Sequence, residues 1–226
     1  DALNSLFERL NASIENERRF TADAAHELRT PLAALKTQAQ VAMRFSDYES
    51  RQQALEQVIR GVDRATHLVE QLLTLARLDP DSEGVKATVF SNVNLCDIAQ
   101  ETLADLVYKA LEKSIDVALS EPCNVNVLCN AGMLSILIKN LVENAIRYTP
   151  EKGKVRVEIT ATEGATLLQV SDSGPGIPDE DKDRVFRRFY RRLGHTQTGS
   201  GLGLSIVQRI LEIHDATAML KTSRYG

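Results

Sequence analysis

Two asparagines four positions apart have the residue type and spacing for binding a metal ion and a phosphorylated ligand. Asn140 and Asn144 lie in the string NLVENAIRYTP, whose pattern predicts a helix with both amides on one face. An amide oxygen is a hard, neutral ligand suited to a Mg²⁺ ion that also holds water and triphosphate oxygens. Arg147 and Tyr148 follow about one turn later. The string therefore predicts one wall of a polyphosphate site.

Two glycine-rich strings downstream have the chemistry to complete such a site. DSGPGIP begins at Asp172 after a predicted strand, so its carboxylate is placed to accept a hydrogen bond from an exocyclic amine. GSGLGLS begins at Gly199 and opens a predicted helix, whose free N–H groups attract phosphates. FRRFYRR, starting at Phe186, lies between them. Each string alone is weak evidence, but the four in this order indicate a nucleotide site.

Other glycine-rich nucleotide motifs do not fit. The P-loop pattern GxxxxGK[ST] is absent. Leu204 and Ile206 stand where a dinucleotide-binding fingerprint would need its last glycine. The HRD loop and the VAIK lysine of protein kinases are also missing.

A histidine with a candidate chemical role, His26, lies in the string HELRTPL on the first predicted helix. At about 100° per residue, His26 lies roughly opposite the apolar face, and Thr30 lies on nearly the same line. Glu27 lies to the side, within reach of the second imidazole nitrogen. Pro31 cannot donate to the Glu27 carbonyl, so we expect a bend. An exposed histidine is usually only a surface residue, which is the interpretation we give the other three: His67, His195 and His214.

Two long helices must position this histidine. We predict them at 1–44 and about 51–77, with Ser50 or Asp47 as the N-cap of the second. The second helix carries an apolar stripe that steps by three and four. Two helices cannot enclose a core, so we expect two hairpins to form a dimeric four-helix bundle. The alternative is that the hairpin packs on the rest of its own chain. The stripe comprises Leu55, Val58, Val62, Ala65, Val69, Leu72 and Ala76.

The pattern after residue 84 predicts a second domain of mixed strands and helices. Strands are expected at 85–90, 115–120, 125–129, 154–160 and 166–172, and helices at about 95–113, 131–148 and 203–213. We predict one sheet covered on one face by helices. The polar stretch from Gly176 to Gly199 is too long for a fixed connection and suggests a mobile lid anchored by Phe186 and Phe189.

Composition excludes several classes of protein. The 226 residues carry a net charge of −4 with no Trp, so neither a basic field nor stacking platforms for nucleic acid are expected. No apolar run reaches the length of a membrane-spanning helix. Cys96, Cys123 and Cys129 have neither CxxC spacing nor an even count, so we expect reduced thiols and no zinc site.

The motifs together resemble those of sensor histidine kinases. FTADAAHELRTPL, NLVENAIRYTP, DSGPGIP, FRRFYRR and GSGLGLSIVQRI resemble the H, N, G1, F and G2 boxes, in family order and over nearly the whole chain. DALNSLFERL and GSGLGLSIVQRI especially resemble QseC-type sensors of Gram-negative bacteria. The resemblance implies an α+β protein in which a two-helix hairpin dimerises into a four-helix bundle. A GHKL-type (Bergerat) α/β sandwich that binds ATP would follow.

The resemblance also implies roles for individual residues. His26 would accept the γ-phosphoryl group of ATP, Glu27 would be its general base or orienting group, and Thr30 would position water for dephosphorylation of the partner. Asn144 would be the Mg²⁺ ligand, and Asp172 would bind the adenine amine. The ATP-binding set implied in this way is Asn140, Asn144, Arg147, Tyr148, Asp172, Gly174, Gly176, Arg191, Gly199, Gly201, Leu202, Gly203 and Leu204.

The organisation implied for the chain has four parts. Residues 1–16 would end a signal-transmitting helix, 17–78 would form the dimerisation and phosphotransfer domain, 79–84 a linker, and 85–226 the ATP-binding domain without its final strand. The expected partners are a second copy of the chain and the receiver domain of an OmpR-like response regulator, with no nucleic acid. An upstream part would attach the otherwise soluble segment to the cytoplasmic face of the bacterial inner membrane. Two alternatives are a GHKL-type ATPase clamp and a non-catalytic signalling scaffold.

Overall fold

The chain folds into two compact units. The computed structural model describes residues 2–79, 85, 88–120, 124–162, 164–192 and 199–225. The first unit is Asp1–Leu73 and the second is Thr74–Gly226. Of the predicted linker at 79–84, only Asp79 lies within the described residues.

The first unit is a helical hairpin. Helix α1 spans Ala2–Ala42 and continues through Pro31, and α2 spans Tyr48–Arg77, so its last turn belongs to the second unit. The predicted apolar face of α1 is the shielded one, ending at the buried Ala42. A Cβ on Gly61 would lie 2.5 Å from Leu35 Cδ2, so the two helices approach each other closely where α2 has no side chain.

The apolar stripe of α2 divides into two halves. Val58 and Ala65 are partly shielded and Leu72 is buried, whereas Leu55, Val62 and Val69 remain exposed. Ile59 and Leu73 widen the exposed half, at 61% and 53% of their surface. A row of large aliphatic side chains in water is unfavourable, so this face has the chemistry of an interface.

The turn between the helices contains the N-cap of α2. The Asp47 carboxylate accepts a hydrogen bond of 2.7 Å from the Ser50 backbone N–H. Hydrogen bonds from the Ser50 backbone and hydroxyl hold the pKa of Asp47 below its usual value. Of the two candidate caps, Asp47 therefore does the capping.

The second unit contains nine elements within the described residues. They are β1 (Ser91–Asn94), α3 (Leu95–Glu112), β2 (Asp116–Leu119), β3 (Asn126–Cys129), α4 (Ala131–Tyr148), β4 (Lys154–Thr162), β5 (Ala165–Asp172), α5 (Asp179–Lys182) and α6 (Gly203–Ile213). The three long helices lie where the periodicity predicts them.

The strands of the described residues form two sheets rather than the single predicted one. β1 pairs antiparallel with β3, while β4 pairs parallel with β2 and antiparallel with β5. The strand predicted at 85–90 is wrong in the part that is described: residue 85 is helical and 88–90 form no strand, while 86–87 lie outside the described residues. The first described strand is Ser91–Asn94, and Val89 and Phe90 are exposed. The position of β1 is set by backbone pairing with β3, in which Ser91 lies opposite Cys129. A count of β-prone residues along the sequence does not detect such pairing.

Helix α4 lies at the centre of the second unit. It packs against α3 and α6 and contacts β4 and β5. Ile138 and Val142 of α4 are completely buried, as are Val155 and Val157 on one face of β4. The position of α4 is therefore determined from several sides by close packing.

The cysteines differ from the sequence-based expectation. Cys96 is disulfide-bonded, whereas Cys129 is a free buried thiol whose pKa is raised by burial. The expectation of reduced thiols was wrong for Cys96, because an odd cysteine count prevents complete pairing but not a single pair.

The described residues after α6 contain no strand. Over 214–225 the chain runs irregularly, and Arg224 forms an ion pair with Glu158 of β4.

Truncating the α4 core should destabilise the second unit. We expect Ile138→Ala to lower the free energy of unfolding by about 2–5 kcal/mol, because a fully buried side chain leaves a cavity. The free energy of unfolding can be measured by urea denaturation followed by circular dichroism, since the chain has no Trp to serve as a fluorescent probe. Leu128→Ala, at a side chain that is 72% exposed, is the control and should change stability little. Equal losses in both variants would contradict the assigned core.

The Asp47 cap should give a pH-dependent stability difference. Its folded pKa is lowered, so its stabilisation is present above the unfolded pKa and is lost as the pH falls through the folded value. We expect Asp47→Ala to lower the melting temperature near pH 7, with the difference shrinking towards about pH 3. Asp63→Ala on the exposed surface of α2 is the matched control. A loss independent of pH would show that the carboxylate charge is not responsible.

Candidate functional site

The end of α4 forms one wall of a cavity of about 240 Å³ in the second unit. The helix begins at a cap in which the Asn130 side chain accepts a 2.9 Å hydrogen bond from the Met133 N–H. It ends at Tyr148 because Thr149 precedes Pro150, and a residue before proline is disfavoured in the helical region. Thr149 accordingly has φ −67° and ψ 131°. Asn144 and Tyr148 from the last turns line the cavity.

Most of the sequence-predicted ATP-binding residues lie around this one cavity. Ten of the thirteen line it, from α4, the end of β5, the stretch before α6 and α6 itself. They are Asn144, Arg147, Tyr148, Asp172, Gly176, Arg191, Gly199, Gly201, Gly203 and Leu204.

Three predicted residues lie outside the lining. Asn140 is buried and donates a 2.8 Å hydrogen bond to the Ile136 carbonyl. The Asn140 Oδ1 would lie 3.0 Å from a Cβ on Gly203, so the Asn140 side chain packs against the first residue of α6. Leu202 is completely buried, and Gly174 borders a neighbouring hollow.

The turn after β5 holds Asp172 in place. Its Oδ1 accepts a 2.8 Å hydrogen bond from the Gly174 N–H, which is an Asx-type turn. A Cβ on Gly174 would lie 2.7 Å from that oxygen and 3.1 Å from the Tyr148 carbonyl oxygen. Glycine is therefore required for the turn to lie against the end of α4. The second carboxylate oxygen of Asp172 takes no part in this bond.

The glycines before α6 let its N-terminus approach the cavity. Gly201 has φ +72°, and a Cβ there would lie 2.7 Å from the Phe189 carbonyl carbon. A Cβ on Gly199 would lie 2.8 Å from Arg147 Nη1. Among the residues described, the N-cap residue Leu202 makes no side-chain cap hydrogen bond, and Ser200 Oγ accepts from the N–H of Leu202 itself, at 3.2 Å. The first N–H groups of α6 thus keep the positive end of the helix dipole beside the cavity.

Sequence reasoning missed the pair Asp181 and Tyr190, which both line the cavity. Asp181 is only 6% exposed, and its carboxylate accepts a hydrogen bond from the Tyr190 hydroxyl, which raises the pKa of Tyr190. Arg192 Nε lies 3.6 Å from the same carboxylate. The tyrosine in FRRFYRR was a visible signal, but its carboxylate partner was not. The pair anchors the described start of the predicted lid, whose residues 193–198 lie outside the described part.

The cavity wall also includes apolar side chains that suit a flat ring. Apolar surface with a few placed polar groups is typical of small-molecule sites. These lining residues are Leu141, Val170, Ile177, Val185 and Leu220.

The three predicted catalytic residues lie in the first unit, on α1. His26 and Thr30 are exposed and Glu27 is half-buried, which agrees with the helical phase derived from the sequence.

Within the described residues no three His, Cys, Asp or Glu side chains cluster as a metal site. The Asn144 amide oxygen lines the cavity and is of the ligand type that suits a Mg²⁺ ion bound together with phosphate oxygens. No helix in the described ranges is both long and apolar enough to cross a bilayer.

Two family models match the chain in succession. Residues 16–81 match the His Kinase A (phospho-acceptor) domain. Residues 129–225 match the histidine kinase-, DNA gyrase B-, and HSP90-like ATPase family. The two matches cover His26 and the cavity respectively.

Curated relatives match almost the whole chain. The sensor protein kinase PmrB of Pseudomonas aeruginosa is 44% identical over 95% of this chain and 44% of its own length. The sensor protein QseC of Escherichia coli O157:H7 is 45% identical over 100% of this chain and 49% of its own. The chain thus spans about half the length of the curated relatives it matches.

Solved structures share the fold. The histidine kinase AdeS of Acinetobacter baumannii aligns with a TM-score of 0.64 at 25% identity, over 83% of this chain and 86% of that one. The histidine kinase ThkA, solved in complex with the response regulator protein TrrA, aligns with a TM-score of 0.76 at 23% identity, over 96% of this chain and 61% of that one. The succession of both family models and the identity to QseC and PmrB over almost the whole of this chain lead to one assignment: this chain belongs to the sensor histidine kinases.

Proposed function

We propose that this chain transfers the γ-phosphoryl group of ATP to His26 and then to an aspartate of a response regulator receiver domain. The observation that carries the proposal is the cavity of the second unit. It unites Asp172, Asn144 and the start of α6, on a chain whose phospho-acceptor domain presents an exposed His26.

ATP has complementary chemistry on each side of this cavity. The free oxygen of Asp172 accepts from the adenine amine while Gly174 holds the other oxygen. The apolar lining covers the ring, and the N-terminus of α6 receives the phosphates. Arg147 and Arg191 line the same cavity and add positive charge, with Arg191 assigned to the γ-phosphate.

The proposal includes a Mg²⁺ ion that would bind together with the triphosphate of ATP. Asn144 would hold it through its amide oxygen. When bound, the ion neutralises charge on the phosphate oxygens during transfer. Asn140, which is buried at Gly203, would act by supporting the phosphate-binding end of α6.

His26 acts as the nucleophile in the transfer step. A neutral imidazole nitrogen attacks the γ-phosphorus, so an N–P bond forms as the bond to the ADP oxygen breaks. Glu27 takes or holds the proton of the other imidazole nitrogen and stabilises the developing positive charge. Exposure of His26 is required because first the ATP-binding domain and then the receiver aspartate must reach it.

The proposal includes a second activity, in which the chain removes the phosphoryl group from the response regulator. Thr30 lies one helical turn beyond His26 and is also exposed. Its hydroxyl would orient a water molecule for attack on the phosphorylated aspartate, while His26 stays unmodified.

The proposed organisation follows the same logic. Residues 1–16 deliver the signal, 17–78 form the dimerisation and phosphotransfer domain, 79–84 link, and 85–226 bind ATP. The exposed aliphatic half of the α2 stripe supports a homodimer. An OmpR-like receiver domain is the proposed partner. The proposed location is the cytoplasmic face of the bacterial inner membrane, reached through a part of the protein outside this chain.

Labelling with γ-labelled ATP and Mg²⁺ tests the proposed reaction. We expect the wild-type chain to acquire an acid-labile label and His26→Gln to acquire none, because the phosphoramidate nitrogen is removed. His67→Gln on α2 is the matched control and should label like wild type. ATP hydrolysis without labelled protein would instead indicate an ATPase clamp, and no nucleotide binding would indicate a scaffold.

Nucleotide binding should depend on the Asp172 carboxylate. We expect Asp172→Asn to weaken ADP binding about 10- to 100-fold, since a hydrogen bond to a charged group contributes about 1.5–3 kcal/mol. Titration calorimetry with ADP measures the dissociation constant. Asp183→Asn, at an exposed carboxylate outside the cavity lining, makes the same charge change as a control. Unchanged affinity in Asp172→Asn would exclude adenine recognition by this residue.

A further inference from the structure

Lys113 joins the ends of two helices that are far apart in sequence. It follows α3 as the C-cap residue and is half-buried. Its ammonium donates hydrogen bonds to three carbonyl oxygens at the end of α4: Ile146 at 2.9 Å, Arg147 at 2.8 Å and Thr149 at 3.0 Å. One side chain thus supplies three charge-assisted bonds.

The end of α4 needs these donors because of Pro150. In a continuing helix the Ile146 carbonyl would accept from the N–H of residue 150, which proline lacks. Thr149 N–H still bonds to the Ala145 carbonyl at 2.9 Å, but the chain then leaves the helix. The last carbonyls carry the negative end of the helix dipole, and a cation there is stabilising.

The same residue also holds the turn that follows α4. The backbone carbonyl of Lys113 accepts a 3.1 Å hydrogen bond from the Lys152 N–H. The Gly153 N–H closes back onto the Pro150 carbonyl at 3.1 Å. Lys113 therefore grips the turn 149–153 from both sides, through its side chain and its backbone.

The secured segment directly contacts the adenine side of the proposed site. Tyr148 lines the cavity, and its carbonyl oxygen lies against Gly174, the residue whose N–H holds Asp172. A shift of the last turn of α4 would displace both Tyr148 and the Asp172 turn. Lys109, one turn earlier on α3, does not share these contacts with the end of α4, because it forms an ion pair with the Glu143 side chain.

We propose that Lys113 is a positioning residue for nucleotide binding. It fixes the last turn of α4, so that Arg147, Tyr148 and the Asp172–Gly174 turn are in place before ATP arrives. This inference rests on the proposed function, because it takes ATP as the ligand of the cavity.

Three variants of the full chain test this role. Lys113→Met removes the ammonium at similar length, Lys113→Arg keeps cationic donors, and Lys152→Met is the control at a nearby exposed lysine. We expect Lys113→Met to raise the KM for ATP and the dissociation constant of ADP about 10-fold, with the maximal rate of His26 labelling within about 2-fold of wild type. Lys113→Arg should restore most of the affinity, and Lys152→Met should match wild type.

Amide hydrogen exchange without nucleotide supplies an independent readout. Peptides covering residues 144–153 should exchange faster in Lys113→Met than in Lys152→Met. If Lys113→Met does not fold, Lys113→Gln, which retains one short donor group, takes its place in both measurements.

Two results would overturn the inference. One is a lower melting temperature in Lys113→Met with KM, ADP affinity and exchange at 144–153 unchanged, which would make Lys113 a general stabilising residue. The other is a fall in maximal rate with unchanged KM. If the wild-type chain binds no nucleotide, the proposed function fails together with this role. The exchange data would then still report whether Lys113 closes the end of α4.

Discussion

The termination of α4 at Pro150 is the constraint on which the site depends. A proline at that position forces Thr149 into an extended conformation and leaves carbonyls of the last turn without helical donors. The helix therefore ends beside the turn that follows β5, where Tyr148 meets Gly174. If the helix continued by one turn, its backbone would extend past this contact. The buried packing of Ile138 and Val142 keeps the rest of α4 from adjusting.

Close backbone approach is the second requirement, and glycine satisfies it at specific points. Gly174 lies against the end of α4, Gly201 against the Phe189–Tyr190 backbone and Gly203 against Asn140. A methyl group at any of these places would push one wall of the cavity outward. The glycines of these strings are therefore needed for the walls of the cavity to pack together, and not only for contact with a ligand.

The two units meet opposite demands on exposure. In the second unit, charged and polar groups are held by partners, as Asp172 is by Gly174 and Asp181 by Tyr190. In the first unit, His26 lies on the exposed face of α1, opposite the face that packs. Fixed partners suit a site that must recognise one small molecule. Exposure suits the proposed role of His26, in which two different protein surfaces would reach this side chain in turn.

Local pattern determined the helices and the phase of His26, and the motifs with the family resemblance they carry located ten of the residues that line the cavity. Helical periodicity acts within a few residues, so α3, α4 and α6 could be located from the sequence. Tertiary structure decided what depends on distant partners. The first described strand is Ser91–Asn94 because it pairs with β3, and Asn140 lies behind Gly203 because α6 packs on α4. Cys96 is disulfide-bonded although its spacing shows no sign of it. Lys113 looks like any surface lysine in the sequence, and only the fold brings its ammonium to carbonyls more than thirty residues away. Contacts between residues so far apart in the chain leave no local periodic signal, and for that reason only the structure shows them.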